Sequence, residues 1–198
     1  MNKRRFAYIV VAVVIGLSLS IYWIVRYSSR AEYVDRSDWQ VMLYGKNHQA
    51  VDIFDPNDPR IRIVYFGFTR CPDVCPTSLA MLSGAMRQVD YSLKTRYWPI
   101  FISLDPERDN SETSAQYAQY FHPMIVGLSA SLAQTTKLAR HYGVIFRKTE
   151  LPNSKMGYTL DHSSYFYFLK SDGTLIEKVP HTNTPQPIVN AMKRDMAK

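Results

Sequence analysis

The longest apolar segment of the chain lies near its start. Residues 6–25 are twenty consecutive residues without a charge, and a helix of that length is about 30 Å long, roughly the thickness of the hydrocarbon core of a bilayer. Three basic residues precede the segment, and three aromatic residues lie near its far end. The pattern predicts a cytoplasmic stub over 1–5, one transmembrane helix over 6–25, a polar tether over 26–38 and an exported domain over 39–198.

A cleaved signal peptide is the alternative interpretation of the same segment. Its apolar region would be about 7–15 residues long and would end at an Ala-x-Ala-like cleavage site. The observed segment is longer, and no such site follows it. With either interpretation the domain faces an oxidising space outside the cytoplasm. We expect a single-pass inner-membrane protein whose domain lies in the periplasm, or in the equivalent mitochondrial intermembrane space.

Beyond the tether, apolar strand-like segments alternate with amphipathic helical ones. Residues 61–68 and 97–104 are apolar, β-branched and aromatic runs, which are typical of strands buried on both faces. Alternation of strands and helices predicts an α/β sheet covered on both faces, with parallel crossovers. The predicted strands are a hairpin of 40–43 and 50–54 and strands at 61–68, 97–104, 125–128, 144–147, 163–169 and 175–179, with a long loop at 148–161. The predicted helices are one opened by Pro76, one capped by Asn110 or Ser111, one capped by Ser129 or Ser131, and one that begins near Pro185 or Pro187.

Composition narrows the classes of protein that fit this pattern. The 198 residues carry a formal net charge of +7, but residues 1–30 hold five basic and no acidic residues, and the other 168 hold 19 basic and 17 acidic ones. Much of the basic excess therefore flanks the apolar segment, which argues against a nucleic-acid partner. Two cysteines are too few for a disulfide-rich scaffold, an all-cysteine zinc site or an iron–sulfur cluster held by one chain.

Both cysteines lie where a buried strand gives way to a helix. Cys71 and Cys75 are four residues apart, so on a helical turn their sulfurs can face the same point. The positive end of a helix lowers thiol pKa values, and low-pKa thiolates either attack disulfides or bind soft metal ions such as Cu(I). A dithiol at the carboxyl end of a strand favours a thioredoxin-like sandwich, with the hairpin at its N-terminal side.

One histidine is placed to complete a metal site. His162 directly precedes the predicted strand 163–169, which in a thioredoxin-like sheet lies beside the strand that leads to the cysteines. Thioredoxin-like oxidoreductases resemble one another in a cis-proline opposite the dithiol, whereas here the nearest upstream proline is Pro152 and a histidine stands in that place. The other histidines are interpreted as surface, loop or helix-end residues: His48, His122, His141 and His181.

Three motifs, in order along the chain, resemble those of the Sco/SenC family of copper proteins. They are Gly67-Phe68-Thr69-Arg70-Cys71-Pro72-Asp73-Val74-Cys75-Pro76, Asp105-Pro106-Glu107-Arg108-Asp109 and Asp161-His162-Ser163-Ser164. The resemblance covers about residues 39–195. It implies a membrane-anchored, thioredoxin-like copper chaperone that delivers copper to the binuclear copper site of cytochrome c oxidase subunit II, or keeps the cysteines of that site reduced. It also implies that Cys71, Cys75 and His162 are the ligands of a Cu(I) or Cu(II) ion.

The resemblance further implies supporting residues and partners. Asp105, Arg108 and Asp109 would support the site, and a helix start with capping carboxylates explains them equally well. The family often has a histidine where Arg70 stands and an acidic residue where Tyr158 stands. Arg70 cannot bind a metal, but its charge could stabilise thiolates. The implied partners are the copper-site subunit of cytochrome c oxidase, other periplasmic copper chaperones and thiol reductants.

Two other functions stay open at this point. The dithiol could work as a thiol–disulfide oxidoreductase on a copper-site partner or on peroxide, because a four-residue spacing still permits a disulfide after local rearrangement. A Cys71–Cys75 bridge could instead be purely structural, although closing so short a loop gives little entropic stabilisation. The sequence favours a binding protein over an enzyme, and the redox candidates are these same two cysteines.

Overall fold

The computed structural model describes residues 13–22 and 39–194. Residues 13–22 are helical and exposed, and they belong to a different structural unit from the domain that starts at residue 38. Within the described residues, no helix combines the length and the apolarity that crossing a bilayer requires. The remainder of the predicted span over 6–25, the stub over 1–5 and the whole of the predicted tether over 26–38 lie outside the described residues.

Residues 39–194 form the domain. Its strands are β1 (Leu43–Tyr44), β2 (Ala50–Val51), β3 (Ile61–Gly67), β4 (Tyr97–Ser103), β5 (Val126–Leu128), β6 (Phe146–Leu151), β7 (Gly157–His162), β8 (Tyr165–Leu169) and β9 (Leu175–Pro180). Its helices are α1 (Val74–Gln88), α2 (Tyr91–Lys94), α3 (Ser111–Phe121), α4 (Leu132–His141) and α5 (Gln186–Arg194). A 3-10 turn at Lys46–His48 separates β1 from β2, as the predicted hairpin requires.

A five-stranded sheet in the order β5-β4-β3-β8-β9 forms the centre of the domain. The first three strands in this order are parallel, and β8 and β9 run antiparallel to their neighbours. The predicted α/β sheet with parallel crossovers is therefore confirmed. The strand after His162 was predicted to lie beside the strand that leads to the cysteines. This is also confirmed, because β8 pairs directly with β3.

Apolar side chains on α1 help to seal this sheet. Leu79, Leu82 and Met86 recur at helical spacing and are fully buried. Burial of each of these side chains stabilises the fold by about 1.5–3 kcal/mol. The helix begins at Val74, two residues earlier than predicted, and Pro76 lies in its first turn. Proline is tolerated there because the first N–H groups of a helix have no intrahelical acceptor.

The predicted loop over 148–161 is wrong, because this segment belongs to an antiparallel ribbon of β6 and β7. The two strands pair from Phe146–His162 to Leu151–Gly157 and form a separate two-stranded sheet. Most ribbon residues stay at least partly exposed, and only Leu160 is buried. The sequence therefore lacks the alternation of apolar and polar residues that identifies a strand packed on a core. His162 is the last residue of a strand rather than a loop residue before one.

Candidate metal centre

Cys71 and Cys75 lie on the connection from β3 to α1. The chain leaves β3 at Gly67, and the Cys71 amide donates a hydrogen bond to the carbonyl of Phe68 at 3.3 Å, which closes a tight turn. Cys71 is half-buried on this turn, whereas Cys75 is in the first turn of α1 and fully buried. Both thiols are free. The structural disulfide considered from the sequence is therefore not formed in this structure.

His162 reaches the same point from the end of β7. Its Nε2 lies 3.4 Å from the Cys75 sulfur. The Cys75 amide donates a hydrogen bond to the Cys71 sulfur at 3.3 Å, and both Cys75 and His162 lie near enough to that sulfur to lower its pKa. The rings of Tyr65 and Phe68 meet the imidazole edge-on at centroid distances of 6.3 and 5.9 Å. Residues that are 87 positions apart in the sequence thus meet at one edge of the sheet.

A backbone hydrogen bond orients the imidazole. The Nδ1 atom of His162 lies 3.0 Å from the carbonyl oxygen of Ser163. A carbonyl oxygen can only accept, so the bond assigns the ring proton to Nδ1. In the neutral ring the lone pair is then on Nε2, which faces the cysteines, and a ring protonated at both nitrogens would instead donate to them. Such a bond from the distal ring nitrogen is the usual way in which proteins fix a metal-binding histidine.

The two thiols have opposite acidities. Hydrogen bonding from Cys75 is the largest of the effects that lower the pKa of Cys71 to about 4; His162 and the backbone amides of Asp73 and Cys75 add to it, and burial opposes it. The pKa of Cys75 is raised by its hydrogen bond to Cys71, by burial and by the negative charge of the Cys71 thiolate. The site thus holds one accessible thiolate beside one buried, protonated thiol.

Gly67 makes room for the Cys75 sulfur. A Cβ at this position would lie 2.9 Å from that sulfur, 3.0 Å from Tyr65 Cε1 and 3.1 Å from Phe101 Cε2. These separations are shorter than van der Waals contact. A side chain at position 67 would therefore push Cys75 or the aromatic rings out of place.

The donor set suits a soft metal ion. Two thiolates and an imidazole favour copper over hard cations. In tetrahedral zinc sites, bonds of about 2.3 Å to sulfur and 2.0 Å to nitrogen separate the two donors by about 3.5 Å, so the observed 3.4 Å is a spacing that one metal ion can bridge. Across residues 13–22 and 39–194, no group of three or more histidine, cysteine, aspartate or glutamate side chains is placed closely enough to hold a metal ion. The contacts thus give a matching set of donors rather than a finished coordination shell.

The carboxylate of Asp109 holds the loop that carries Cys71. It is fully buried and accepts hydrogen bonds from the Thr69 amide at 2.8 Å, the Thr69 hydroxyl at 2.5 Å and the Ser103 hydroxyl at 2.7 Å. Because Ser103 ends β4, the carboxylate ties the cysteine loop to the neighbouring strand. Of the two sequence interpretations of Asp109, support for the site is the one that these contacts favour.

Asp105 and Arg108 act on the ribbon instead. The guanidinium of Arg108 forms an ion pair with Asp105 and donates to the backbone carbonyls of Met156 and Tyr158 at 3.1 and 2.9 Å. These contacts lie at the far end of the ribbon that carries His162. Arg70, whose charge could stabilise thiolates, is exposed, and the principal groups that lower the pKa of Cys71 do not include it.

Sequence reasoning missed a polar cluster behind Cys75. His181, interpreted as a loop residue, has its Nδ1 2.8 Å from the hydroxyl of Ser78, and its amide donates to the carbonyl of Ser164. The buried hydroxyl of Tyr65 lies against the same serines and Cys75. Ser78 is one helical turn beyond Cys75, which is the one signal in the sequence that could have indicated this contact.

The sequence matches known proteins over most of the domain. Residues 47–197 match the SCO1/SenC family model. The chain is 34% identical over 134 residues to Protein sco1 of Schizosaccharomyces pombe, which is 67% of this chain and 51% of that protein. It is 35% identical over 136 residues to the human Protein SCO2 homolog, mitochondrial, which is 68% of this chain and 51% of that protein. The chain thus spans about half the length of these relatives.

Solved structures share the fold. The copper-bound ScoI of Arabidopsis thaliana superposes with a TM-score of 0.71 at 30% identity, over 79% of this chain and 96% of that chain. The copper-bound ScoI of Bradyrhizobium japonicum has a TM-score of 0.66 at 32% identity, over 77% of this chain and 95% of that chain. The apo Sco1 of Thermus thermophilus has a TM-score of 0.68 at 31% identity, over 77% of this chain and 88% of that chain. The predicted thioredoxin-like α/β architecture is the one that these proteins have.

Proposed function

Because the chain belongs to the SCO1/SenC family, we propose that its domain over 39–198 is a copper chaperone in which Cys71, Cys75 and His162 hold the ion. The observation that carries the proposal is that the three donors converge at one end of the central sheet: Nε2 of the imidazole lies 3.4 Å from the Cys75 sulfur, and the Cys75 amide donates to the Cys71 sulfur at 3.3 Å. The copper-bound ScoI structures from Arabidopsis thaliana and Bradyrhizobium japonicum support copper as the ion.

Each donor is prepared differently for an incoming ion. Cys71 is already a thiolate near neutral pH, because its pKa is about 4. The neutral imidazole of His162 presents a lone pair to the ion, because the Ser163 carbonyl holds its proton on Nδ1. Cys75 must lose its proton on binding, so uptake of the ion releases a proton. We expect Cys71, the more accessible of the two cysteines, to contact the ion first.

Delivery would use the same accessible edge. A half-exposed Cys71 allows thiolates of a partner to replace the ligands one at a time. We propose the binuclear copper site of cytochrome c oxidase subunit II as the acceptor, with other periplasmic copper chaperones as donors and thiol reductants keeping the pair reduced. A membrane helix over 6–25 would hold the domain at the inner membrane, on its periplasmic side or in the mitochondrial intermembrane space. This anchor rests on the sequence alone.

The opposite acidities of the thiols also favour a second candidate function, thiol–disulfide exchange. The Cys71 thiolate would attack a partner disulfide, forming a mixed disulfide and releasing one partner thiolate. Cys75 would then attack the Cys71 sulfur and release the second partner thiolate. The Cys75 proton passes to a released thiolate. Two electrons reach the partner, and a Cys71–Cys75 disulfide is left behind. The same residues cannot bind copper in this oxidised state.

Copper titration of the reduced chain tests the first function. We expect one Cu(I) per chain, and more than about 100-fold weaker binding in Cys71→Ser and His162→Ala, since losing a ligand costs more than losing an outer partner. His48→Asn is the matched control. It removes an exposed histidine outside the site, and asparagine tolerates the positive φ of 56° at that position. Wild-type affinity in His162→Ala would refute the proposal.

A redox assay separates the two functions. The oxidised and reduced chain is equilibrated with glutathione buffers to obtain the reduction potential of the Cys71–Cys75 pair. The reduced chain is then mixed with a model disulfide peptide that carries two cysteines. Fast reduction of the peptide by a His162→Ala chain that no longer binds copper would establish exchange as an activity of its own. Failure of exchange in the wild type would leave copper binding as the function.

A further inference from the structure

The inner face of β7 carries the residues that connect the ribbon to the domain. Side chains alternate between the two faces of a strand, so Tyr158, Leu160 and His162 share one face. Leu160 is buried in the core, and Tyr158 and His162 are partly buried. The opposite face holds Asp161, which is exposed and bonds only across the ribbon, to Thr149 and Arg147. The metal donor thus lies on the same face as two residues that attach the ribbon.

Tyr158 is held on both sides of its ring. The guanidinium of Arg108 lies 3.5 Å from the ring centroid, and the ammonium of Lys148 lies 3.9 Å from it. The phenol donates a 2.6 Å hydrogen bond to Asp105. Lys148 is in turn paired with Glu107 at 3.2 Å. Arg108, Asp105 and Glu107 all come from the segment after β4, so these contacts join the ribbon to the main sheet.

The ribbon depends on such contacts because it is not part of the main sheet. It shares no strand pairing with the central five strands. At its base, the amide of Ser163 donates to Ile145 at 2.9 Å, and the amide of Ile145 donates to the Ser163 hydroxyl at 3.1 Å. The buried Leu160 and the two hydrogen bonds from Arg108 to the carbonyls of Met156 and Tyr158 also hold the ribbon. Without the side-chain contacts of Tyr158 the ribbon would be freer to roll about its long axis, and rolling would turn the face that carries His162 away from the cysteines.

We propose that Tyr158 is a positioning residue for the metal centre: fixed between Arg108 and Lys148 and bonded to Asp105, it prevents the ribbon from rolling and so keeps His162 against Cys75. The inference rests on the proposed function, in which His162 is a ligand. It assigns a role to a residue at which the family resemblance predicted an acidic side chain. Preorganising a donor lowers the entropic cost of binding the ion.

The test compares Tyr158→Leu, which removes ring and hydroxyl, with Tyr158→Phe, which keeps the ring between the cations. Tyr91→Leu is the matched control, because that tyrosine is 79% exposed outside the site. Metal-free chains are examined by amide hydrogen exchange of residues 146–162 and by the imidazole NMR signals of His162. Copper-loaded chains are examined by Cu(I) affinity and by the Cu(II) thiolate absorption band.

In Tyr158→Leu we expect faster exchange along the ribbon, a shifted imidazole signal, about tenfold weaker copper binding and an altered absorption band. Tyr158→Phe should recover most of each effect, and Tyr91→Leu should match the wild type. Unchanged exchange and an unchanged imidazole signal in Tyr158→Leu would overturn the proposal, as would a loosened ribbon with wild-type copper affinity. A wild-type chain that binds no copper refutes the proposed function instead, and the metal-free measurements still report whether Tyr158 positions His162.

Discussion

Replacing Asp109 tests how the cysteine loop is held. Asp109→Ala removes a buried carboxylate that accepts three hydrogen bonds, two from Thr69 and one from Ser103. A hydrogen bond to a charged group contributes about 1.5–3 kcal/mol, but the two hydroxyl donors can rotate toward other acceptors. The Thr69 amide is fixed in the backbone and cannot turn toward another acceptor. We therefore expect the free energy of unfolding to fall by about 3–5 kcal/mol, a large part of the total for a domain of this size.

The asparagine variant separates charge from shape. In Asp109→Asn the amide oxygen can keep the bonds to the Thr69 amide and to Ser103, and the Thr69 hydroxyl can turn to accept from the new NH2 group. The loss should then be about 1–2 kcal/mol. Asp55→Ala is the control, since that carboxylate bonds only to Asn57, two residues away, and should cost about 1 kcal/mol or less.

The free energies of unfolding of the three variants and the wild type are measured on metal-free chains by urea titration, with circular dichroism as the signal. Copper affinity provides a second readout, because a loosened Thr69 shifts Cys71, two residues further along the chain. The reasoning would be refuted if Asp109→Ala unfolded within about 1 kcal/mol of the wild type, or if asparagine were as damaging as alanine. It would also be refuted if the alanine variant bound copper as tightly as the wild type.

Three further predictions concern packing and acidity. Gly67→Ala places a methyl group 2.9 Å from the Cys75 sulfur, so copper affinity should fall; a wild-type titration curve would contradict this. Gly127→Ala places one 1.9 Å from the Ser114 carbonyl oxygen, backbone that cannot rotate away, so urea unfolding should show a loss of about 3 kcal/mol or more; a wild-type midpoint would be the contrary result. With a pKa of about 4, Cys71 in the metal-free chain should react with iodoacetamide at a nearly constant rate from about pH 5 to 8 and slow only as pH falls through 4, because protonation removes the thiolate. A rate that rises tenfold per pH unit over that range would refute the assigned acidity.

The central sheet could be predicted from the sequence because burial leaves its strands few alternatives. β3 and β4 are nearly continuous apolar runs, and such runs are stable only when both faces are covered. The place of His162 followed from the same reasoning, since the strand after it pairs with the strand before the cysteines. The ligand set itself came from the resemblance of three motifs and not from periodicity.

The ribbon and its contacts could not be predicted in the same way. Its strands stay largely exposed, so polar residues occupy both faces and the apolar alternation is absent. The stacking of Tyr158 on Arg108 joins residues 50 positions apart and leaves no periodic trace in the sequence. The sequence narrowed each of two helix caps only to a pair of residues. Asn110 and Ser131 are the N-caps in the structure, but the alternatives, Ser111 and Ser129, belong to equally good capping residue types.

The separation of the ribbon from the central sheet has a practical consequence. Residues 152–155 at its turn are exposed, and no core strand depends on their length. A dye attached at Asn153, or a short peptide inserted there, would leave the register of the sheet intact. The turn is therefore a suitable attachment point for an optical reporter that follows loading of the centre in a living cell.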